Sequence, residues 1–299
     1  MAIRFGVSPI AWTNDDLPEL GGATPLSTML SDAEQIGFAG VELGGKFPRQ
    51  AAVLQPLLQR HALELVGGWY SGALLARSAQ DEIAALQEHL ALLEAMGSNV
   101  FIFAETSNAI HCVRDRSLSA SPRLDAAGWR RFGAGLDEVA GYIESRGLRF
   151  AYHHHLGTVV ENADDIQMFL RSTHDRVGLT LDTGHAALAG IDPLEIIRRH
   201  PQRVAHVHCK DVRRPVFEQV KRTDASFLDG VLAGMFTVPG DGSLDFDAIL
   251  AALAGIGYSG WIIVEAEQDP AIAAPRMYSA LGLATLRRAM VIAGMAEES

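Results

Sequence analysis

The sequence predicts an α/β protein that folds as a single (β/α)8 TIM barrel. Eight short apolar runs alternate with amphipathic segments along the 299 residues. A barrel of about 250 residues with extended loops fits this length. The predicted strands are residues 4–8, 40–43, 63–67, 99–104, 148–153, 178–182, 203–208 and 261–265. A doubly wound open sheet is the alternative architecture.

Cap residues predict where the helices between these strands begin and end. Thr24 as N-cap and Pro25 at the first helical position precede an apolar stripe that stops at Gly37. Further helix starts are predicted at Ser78, Asp125, Asn162, Asp192 and Asp245, and further helix ends at Gly97 and Gly147. The segment from Ser78 to Gly97 is predicted to be one helix.

We expect one domain over residues 1–299, because no boundary for a second domain is apparent. Two segments exceed the usual connection of about 4–6 residues. They are residues 106–124 after strand four and residues 212–242 after strand seven. Both follow carboxyl ends of strands, the face that carries the active site in a barrel, so they are candidate lids.

Composition and charge restrict the class of function. The two cysteines, Cys112 and Cys209, form no CxxC pair, which excludes a disulfide framework and a cysteine-only zinc site. The formal net charge of -11 disfavours nucleic acid as a partner. No apolar run reaches the roughly 18 residues of a membrane span, and the amino terminus lacks a signal-peptide pattern. We expect a cytoplasmic protein that acts on a small molecule, with self-association left open.

Histidines and acidic residues concentrate at the predicted ends of strands five to eight. They are His153, His154 and His155, then Asp182 and His185, then His206, His208 and Lys210, and finally Glu265 and Glu267. Alternate residues share one face of a strand, so side chains two apart converge inside a barrel. Unpaired polar groups buried together would each cost about 1–3 kcal/mol. A bound divalent cation or polar ligand is therefore expected at this point.

The motifs that follow resemble the xylose isomerase-like barrel superfamily over most of the chain. They are DTGH at 182–185, VHCKD at 207–211, PGDGSLDF at 239–246 and GYSGWIIVE at 257–265. Within the superfamily, the segments at 8–16, 152–158, 234–242 and 264–270 resemble the inosose dehydratases of inositol catabolism. The triple histidine and the VEAEQDPA segment are more specific for substrate than the motifs of the whole superfamily.

The resemblance implies a metal site formed by His153, Asp182, His208 and Glu265. Sugar epimerases of the superfamily have Glu where this chain has His153. Two carboxylates and two neutral imidazoles balance the charge of a divalent ion, which leaves the metal a stronger Lewis acid than three carboxylates would. The resemblance favours Mn²⁺ or Co²⁺, and the ligands do not exclude Zn²⁺ or Fe²⁺.

The resemblance also implies a hydro-lyase that converts 2-keto-myo-inositol, an inosose, to a trihydroxycyclohexane-1,2-dione. Residues two positions beyond three of the ligands lie toward the barrel mouth and are the catalytic candidates. His155 is predicted to be the base on the expectation of a near-neutral pKa. Lys210 is predicted to polarise the substrate oxygen, and Glu267 to donate a proton or bind a hydroxyl.

Further side chains near strand ends are candidates to bind the substrate: Trp12, Trp69, Glu105, His154 and His185. The tryptophans are expected to stack on the ring, and Glu105 to accept a hydroxyl hydrogen bond. Glu42 is a further candidate acceptor, whereas His206 is predicted to be a polar core residue.

Three other functions are weighed against the dehydratase. A sugar or cyclitol isomerase or epimerase would use the same metal-dependent proton removal and return the proton; His153 in place of a carboxylate counts against it. A zinc nuclease for abasic DNA would need more ligands and a basic channel. A binding protein without catalysis would more readily have lost part of the ligand set.

Overall fold

Eight parallel strands close into a barrel, which confirms the predicted fold. The computed structural model describes residues 2–298. The barrel strands are β1 (Ala2–Val7), β2 (Gly40–Leu43), β3 (Glu64–Gly72), β4 (Val100–Glu105), β5 (Arg149–His153), β6 (Gly178–Asp182), β7 (Val204–Cys209) and β10 (Gly260–Val264). Three short strands lie outside the ring of eight: β8 (Asp211–Val212), β9 (Phe236–Thr237) and β11 (Ala296–Glu297). Pairing of Ile3 with Gly260 through Val7 with Val264 closes the barrel.

Helices follow the strands and cover the outside of the barrel. They are α1 (Leu26–Ile36), α2 (Ala51–Gln59), α3 (Ala79–Ala85), α4 (Gln87–Ala95), α5 (Ala126–Ser145), α6 (Ala163–Ser172), α7 (Thr183–Leu188), α8 (Pro193–Arg199), α9 (Arg214–Arg222), α10 (Phe227–Leu232), α11 (Phe246–Gly255) and α12 (Pro275–Ile292). Within residues 2–298, none of these helices combines the length and apolar character needed to cross a bilayer.

Five predicted helix starts are confirmed. The first helix starts one residue later than predicted, and the predicted third helix is two helices. The side chains of Ser78, Asp125, Asn162, Asp192 and Asp245 each accept a hydrogen bond from a backbone N–H in the first turn. The first helix begins at Leu26, because Pro25 has an extended ψ of 146° and is itself the N-cap. The predicted third helix is divided at Leu86, where the Gln87 side chain bonds to the carbonyl of Ile83 and competes for that acceptor.

Apolar side chains fill the barrel interior on the amino-terminal side of the polar strand ends. They are Val66, Val100, Ile102, Ala151, Ala205, Trp261 and Ile263. A Cβ at Gly40 would lie 2.7 Å from the Trp261 ring, so glycine there makes room for the indole. A larger core lies between the strands and the helices. The apolar interior of the barrel therefore ends where the polar strand ends begin, and it packs against them from the amino-terminal side.

The two predicted long segments after β4 and β7 meet beside the barrel. The segment after β7 contains the helices α9 and α10 between the antiparallel strands β8 and β9, with their own apolar cluster. Ser117 of the first segment forms an isolated bridge with Ser226 of the second. One carboxylate organises the end of the second segment: Asp211 accepts from the backbone N–H groups of Gly240, Gly242, Ser243 and Leu244.

Candidate active site

The four side chains predicted to bind a metal lie together at the carboxyl ends of β5, β6, β7 and β10. One ligand atom from each of His153, Asp182, His208 and Glu265 lies within 4.8 Å of the others. Asp182 Oδ2 is 3.6 Å from His153 Nε2, and His208 Nδ1 is 3.0 Å from Glu265 Oε2. All four residues are buried. The barrel register thus brings into one cluster residues that are distant in sequence.

Buried atoms without hydrogen bonds indicate that this cluster fits a divalent cation. Asp182 Oδ2 and His208 Nδ1 are both buried and have no hydrogen-bond partner within residues 2–298. The other oxygen, Asp182 Oδ1, accepts from the backbone of His185 at 2.8 Å and so caps α7. Oxygen and nitrogen ligands about 2.0–2.2 Å from a metal are separated from one another by distances of this order. The donor set and its spacing therefore match the predicted metal site.

Glu42 fixes which nitrogen of His208 faces the cluster. Its Oε1 accepts from His208 Nε2 at 3.0 Å and from His206 Nε2 at 2.9 Å. With Nε2 protonated, the lone pair of His208 lies on Nδ1, the atom that faces Asp182 and Glu265. Burial opposes ionisation of Glu42, yet His208 and His206 together lower the pKa of this carboxyl to about 2. Glu42 thus holds one of the predicted metal ligands in place, a role that strand position alone did not indicate.

Lys210 is a buried cation between the metal ligands and the other catalytic candidates. Its Nζ lies 2.8 Å from Glu265 Oε1, 2.6 Å from Glu267 Oε1 and 3.0 Å from His185 Nε2. Burial lowers the pKa of Lys210, but Asp182 and the two glutamates outweigh it and raise the pKa well above its usual value. The ammonium group is therefore charged and can donate hydrogen bonds to an oxygen.

The carboxyl group of Glu267 is poised between its two protonation states. Burial raises the pKa of Glu267 to about 7, although the ammonium of Lys210 opposes the rise. Its Oε1 lies 4.0 Å from His155 Nε2. A carboxylic acid that is partly protonated near neutral pH can donate a proton to a leaving group.

His155 is a neutral imidazole with one nitrogen free. Its Nδ1 donates to the carbonyl of Leu156 at 2.7 Å, which leaves the lone pair on Nε2. Burial, and then the neighbouring His185, lower the pKa of His155 well below its usual value. The expectation of a near-neutral pKa is therefore wrong, because the sequence did not reveal that the ring is enclosed. The role of His155 as the base stays a prediction, since Nε2 can still accept a proton.

A cavity of about 280 Å³ lies against these groups. Its polar and aromatic lining consists of His153, His155, His208, Glu265 and Glu267 from the second half of the chain, and of Ser8, Asp15, Asp16, Glu42, Arg49, Trp69 and Ser71 from the first half. Trp69, predicted to bind substrate, donates from Nε1 to Ser71 and stands edge-on to His153 at 5.1 Å between ring centroids. Pro9, Ile10, Leu43 and Ile102 also line the cavity, so its lining combines polar groups with apolar side chains and the half-buried Trp69.

Four of the five predicted substrate-binding residues do not line this cavity. Trp12 is buried in the core and donates to Asp32 on α1. Glu105 accepts from Ser107 and from the backbone of Leu75, so it holds loops together. His154 is wholly buried on the opposite face of the strand, and neither ring nitrogen has a hydrogen-bond partner in the part of the chain that the structure describes. The structure supports packing roles for Trp12 and Glu105, and no contact with a substrate for His154.

His185 also lies behind the cavity wall. It is buried, its Nδ1 accepts from the backbone of Leu156 at 3.3 Å, and its ring centroid is 3.8 Å from that of His155. It packs against Phe227 on the other side. The structure therefore places His185 where it orients His155 and Lys210.

The chain belongs to the xylose isomerase-like TIM barrel family, whose model matches residues 30–288. It is 45% identical over 294 residues to the rhizopine catabolism protein MocC of Rhizobium meliloti, covering 98% of this chain and 90% of that protein. It is 39% identical over 281 residues to an inosose dehydratase of Lacticaseibacillus casei, covering 93% and 94%. The predicted resemblance to the inosose dehydratases is thereby confirmed.

A solved structure titled as IOLI protein with a binding zinc atom has the same fold. Its TM-score against this chain is 0.66 at 16% identity, and the match covers 97% of both chains. At that identity the likeness concerns the fold alone.

Proposed function

We propose that this protein is a metal-dependent hydro-lyase that dehydrates 2-keto-myo-inositol to a trihydroxycyclohexane-1,2-dione. The observation that carries the proposal is a pair of unlike proton-transfer groups beside the predicted metal ligands. His155 Nε2, a free acceptor, and Glu267, whose pKa is about 7, lie 4.0 Å apart on one cavity wall. Dehydration needs one group that takes a proton from carbon and one that gives a proton to the leaving oxygen.

His153, Asp182, His208 and Glu265 would hold the metal. A bound divalent cation would supply Lewis acidity that makes the carbon beside the ketone more acidic. Two nitrogen and two oxygen ligands suit Mn²⁺ or Co²⁺, which are our expected metals. We assign the reaction to the cytoplasm, with which the two free cysteines are consistent.

The residues of the chain would divide the proton transfers among them. His155 takes the α-proton at Nε2, and the electron pair of the broken C–H bond forms a carbon–carbon double bond. Glu267 gives its proton to the β-hydroxyl as the C–O bond breaks, so that one water leaves. Lys210, paired to Glu267 at 2.6 Å, donates toward the substrate oxygen. The substrate therefore loses one H₂O, with no change in oxidation state.

The test incubates the purified protein and Mn²⁺ with 2-keto-myo-inositol in deuterated water. Dehydration predicts a product lighter by one water and an ultraviolet absorbance from a conjugated enol. Epimerisation instead predicts an unchanged formula apart from deuterium at the α-carbon. An Asp182→Asn variant is the matched control, because it keeps the cap on α7 and loses a ligand oxygen. Unaltered, unlabelled substrate together with turnover of linear ketoses would overturn the proposal in favour of an isomerase.

The relative named for rhizopine catabolism supports a second candidate substrate. Its identity to this chain is 45%, against 39% for the inosose dehydratase of Lacticaseibacillus casei. Rhizopine is therefore assayed beside 2-keto-myo-inositol, and the ratio of the two kcat/KM values decides which is the better substrate.

A further inference from the structure

A second group of metal-ligating side chains lies at the mouth of the cavity. Asp16 follows β1, and His111 and Cys112 follow β4, so two separate loops contribute. One ligand atom from each lies within 4.8 Å of the others. Asp16 Oδ1 is 3.1 Å from Cys112 Sγ and 3.8 Å from His111 Nε2. These spacings are close to the edges of a tetrahedron of ligands around one metal ion.

The His111 ring is buried without the hydrogen bonds that a buried imidazole requires. The residue is 4% exposed, and its Nδ1 has no partner among the described residues. Its Nε2 faces the Asp16 carboxylate at 3.8 Å, beyond hydrogen-bond length. If Nδ1 carries the proton, the lone pair of the ring lies on Nε2, the nitrogen that faces Asp16, and it is available to a cation.

In two other groups of acidic and histidine side chains, contacts within the described chain account for why the side chains lie together. The group of Asp16, His111 and Cys112 is different. Glu42 already joins His206 and His208 by two hydrogen bonds. His155, His185 and Glu267 surround the ammonium of Lys210, which is the cation of that group. The group of Asp16, His111 and Cys112 encloses no cation of the described chain, and only its thiol makes a hydrogen bond within it.

We infer that Asp16, His111 and Cys112 form a second metal site, which takes Zn²⁺. Thiolate sulfur and imidazole nitrogen are the ligands that zinc prefers, and carboxylate oxygen completes many such sites. On binding, the Cys112 S–H bond breaks, its proton goes to solvent, and a zinc–sulfur bond forms. One thiolate, one carboxylate and one neutral imidazole balance the charge of the ion. Three protein ligands leave a fourth position, which water fills.

Such a site would join two loops across the entrance to the active site. Asp16 lines the cavity, and the His111 ring lies 4.8 Å from the ring of His155 between centroids. His111 also packs against Trp69 at 6.3 Å. Zinc at this position would therefore fix the packing of His111 against His155 and Trp69, two residues that line the cavity.

Cobalt absorption distinguishes this site from the one at the strand ends, because only the new site contains sulfur. The protein is stripped with a chelator, kept reduced with a phosphine, and loaded with Co²⁺. We expect the near-ultraviolet charge-transfer band of a cobalt–thiolate bond. The band should vanish in Cys112→Ala and persist in Cys209→Ala, which removes the buried cysteine that lies outside both groups of ligands. It should also persist in Asp182→Asn, which removes a ligand of the first site.

Zinc stoichiometry gives a second and independent measurement. The unmodified protein is expected to bind two equivalents after dialysis, and Cys112→Ala and Asp182→Asn one each. Zinc should also protect Cys112 from a thiol reagent in the Asp182→Asn variant. Absence of the cobalt–thiolate band, or equal zinc content in the unmodified protein and Cys112→Ala, would overturn the inference. Neither result depends on which substrate the enzyme uses.

Discussion

Glu42 Oε1 accepts a hydrogen bond from His208 Nε2 at 3.0 Å, so that a residue of the second strand orients a predicted metal ligand on the seventh. The same oxygen accepts from His206 Nε2 at 2.9 Å. A carboxylate that bonds to the outer nitrogen of a histidine ligand sets its tautomer and increases its basicity. We therefore expect metal binding at the strand ends to depend on Glu42, which is not itself one of the predicted ligands.

Glu42→Gln should weaken metal binding about 10–100-fold, as loss of such outer partners does in other metal sites. The amide has one carbonyl for two imidazole donors and carries no charge. Calorimetric titration of the metal-free protein with Mn²⁺ measures the effect. Glu64→Gln, an exposed carboxylate on the neighbouring strand, is the control and should leave the affinity unchanged. Equal affinities for the two variants would refute a positioning role for Glu42.

Asp182→Asn should abolish binding at the strand-end site while the barrel remains folded. Oδ1 would still cap α7, whereas the amide nitrogen in place of Oδ2 cannot bind a cation. A ligand at about 1,000 times its Kd stabilises a protein by about 4 kcal/mol, so Mn²⁺ should raise the Tm of the unmodified protein and leave that of the variant unchanged. Asp192→Asn, at the N-cap of α8, should respond to metal like the unmodified protein. A metal-dependent rise in Asp182→Asn would place the ion elsewhere.

His155→Gln should retain the metal and lose most turnover. A general base typically contributes about 10²–10⁴-fold to the rate, and glutamine cannot take up the α-proton. The measurement is kcat with 2-keto-myo-inositol at saturating Mn²⁺, beside metal content. His174→Gln, at an exposed position, is the control. Near-normal turnover in His155→Gln would transfer the role of the base to Glu267 or Lys210.

His89 should make the fold sensitive to acid. Burial lowers its pKa to about 4, although the bond to the carbonyl of Gly68 opposes the shift. Above the unfolded-state pKa of about 6.5, both states are neutral and the contribution of His89 is fully present. Between about pH 6.5 and pH 4, only the unfolded chain takes up the proton, so stability falls by up to about 3 kcal/mol.

Urea unfolding of His89→Gln at pH 7, 6 and 5 tests this dependence. The variant should lose less stability than the unmodified protein between pH 7 and pH 5, whatever its stability at pH 7. The exposed His174→Gln should follow the unmodified protein. Parallel pH profiles for all three proteins would contradict the assignment to His89.

Strand ends and most helix starts were predictable because they depend on local patterns. The eight strands follow from short apolar runs, and the cap at Asn162 follows from one side chain that reaches backbone N–H groups two and three residues on. The clustering of His153, Asp182, His208 and Glu265 was predictable because barrel closure brings strand ends together. The directions of two other side chains were not: Trp12 and Glu105 turn into the structure through bonds to Asp32 and Ser107.

The contacts that cross the barrel were equally hidden from the sequence. Glu42 lies 166 residues from His208, and no local pattern joins them. The enclosure of His155, which lowers its pKa, comes from His185 and Phe227 on other elements. Predicting either would have required the register of the closed sheet and the path of the long loops.

The catalytic candidates and most of the other residues that line the cavity come from different halves of the chain. His153, His155, His208, Glu265 and Glu267 all lie after residue 150, whereas Ser8, Asp15, Arg49, Trp69 and Ser71 all lie before residue 105. Glu42 is the exception, because it belongs to the amino-terminal half and holds His208 by a hydrogen bond. A chimera joined between β4 and β5 would therefore exchange much of the cavity lining, and it would keep the predicted metal site in order only if the incoming half also has a carboxylate at position 42.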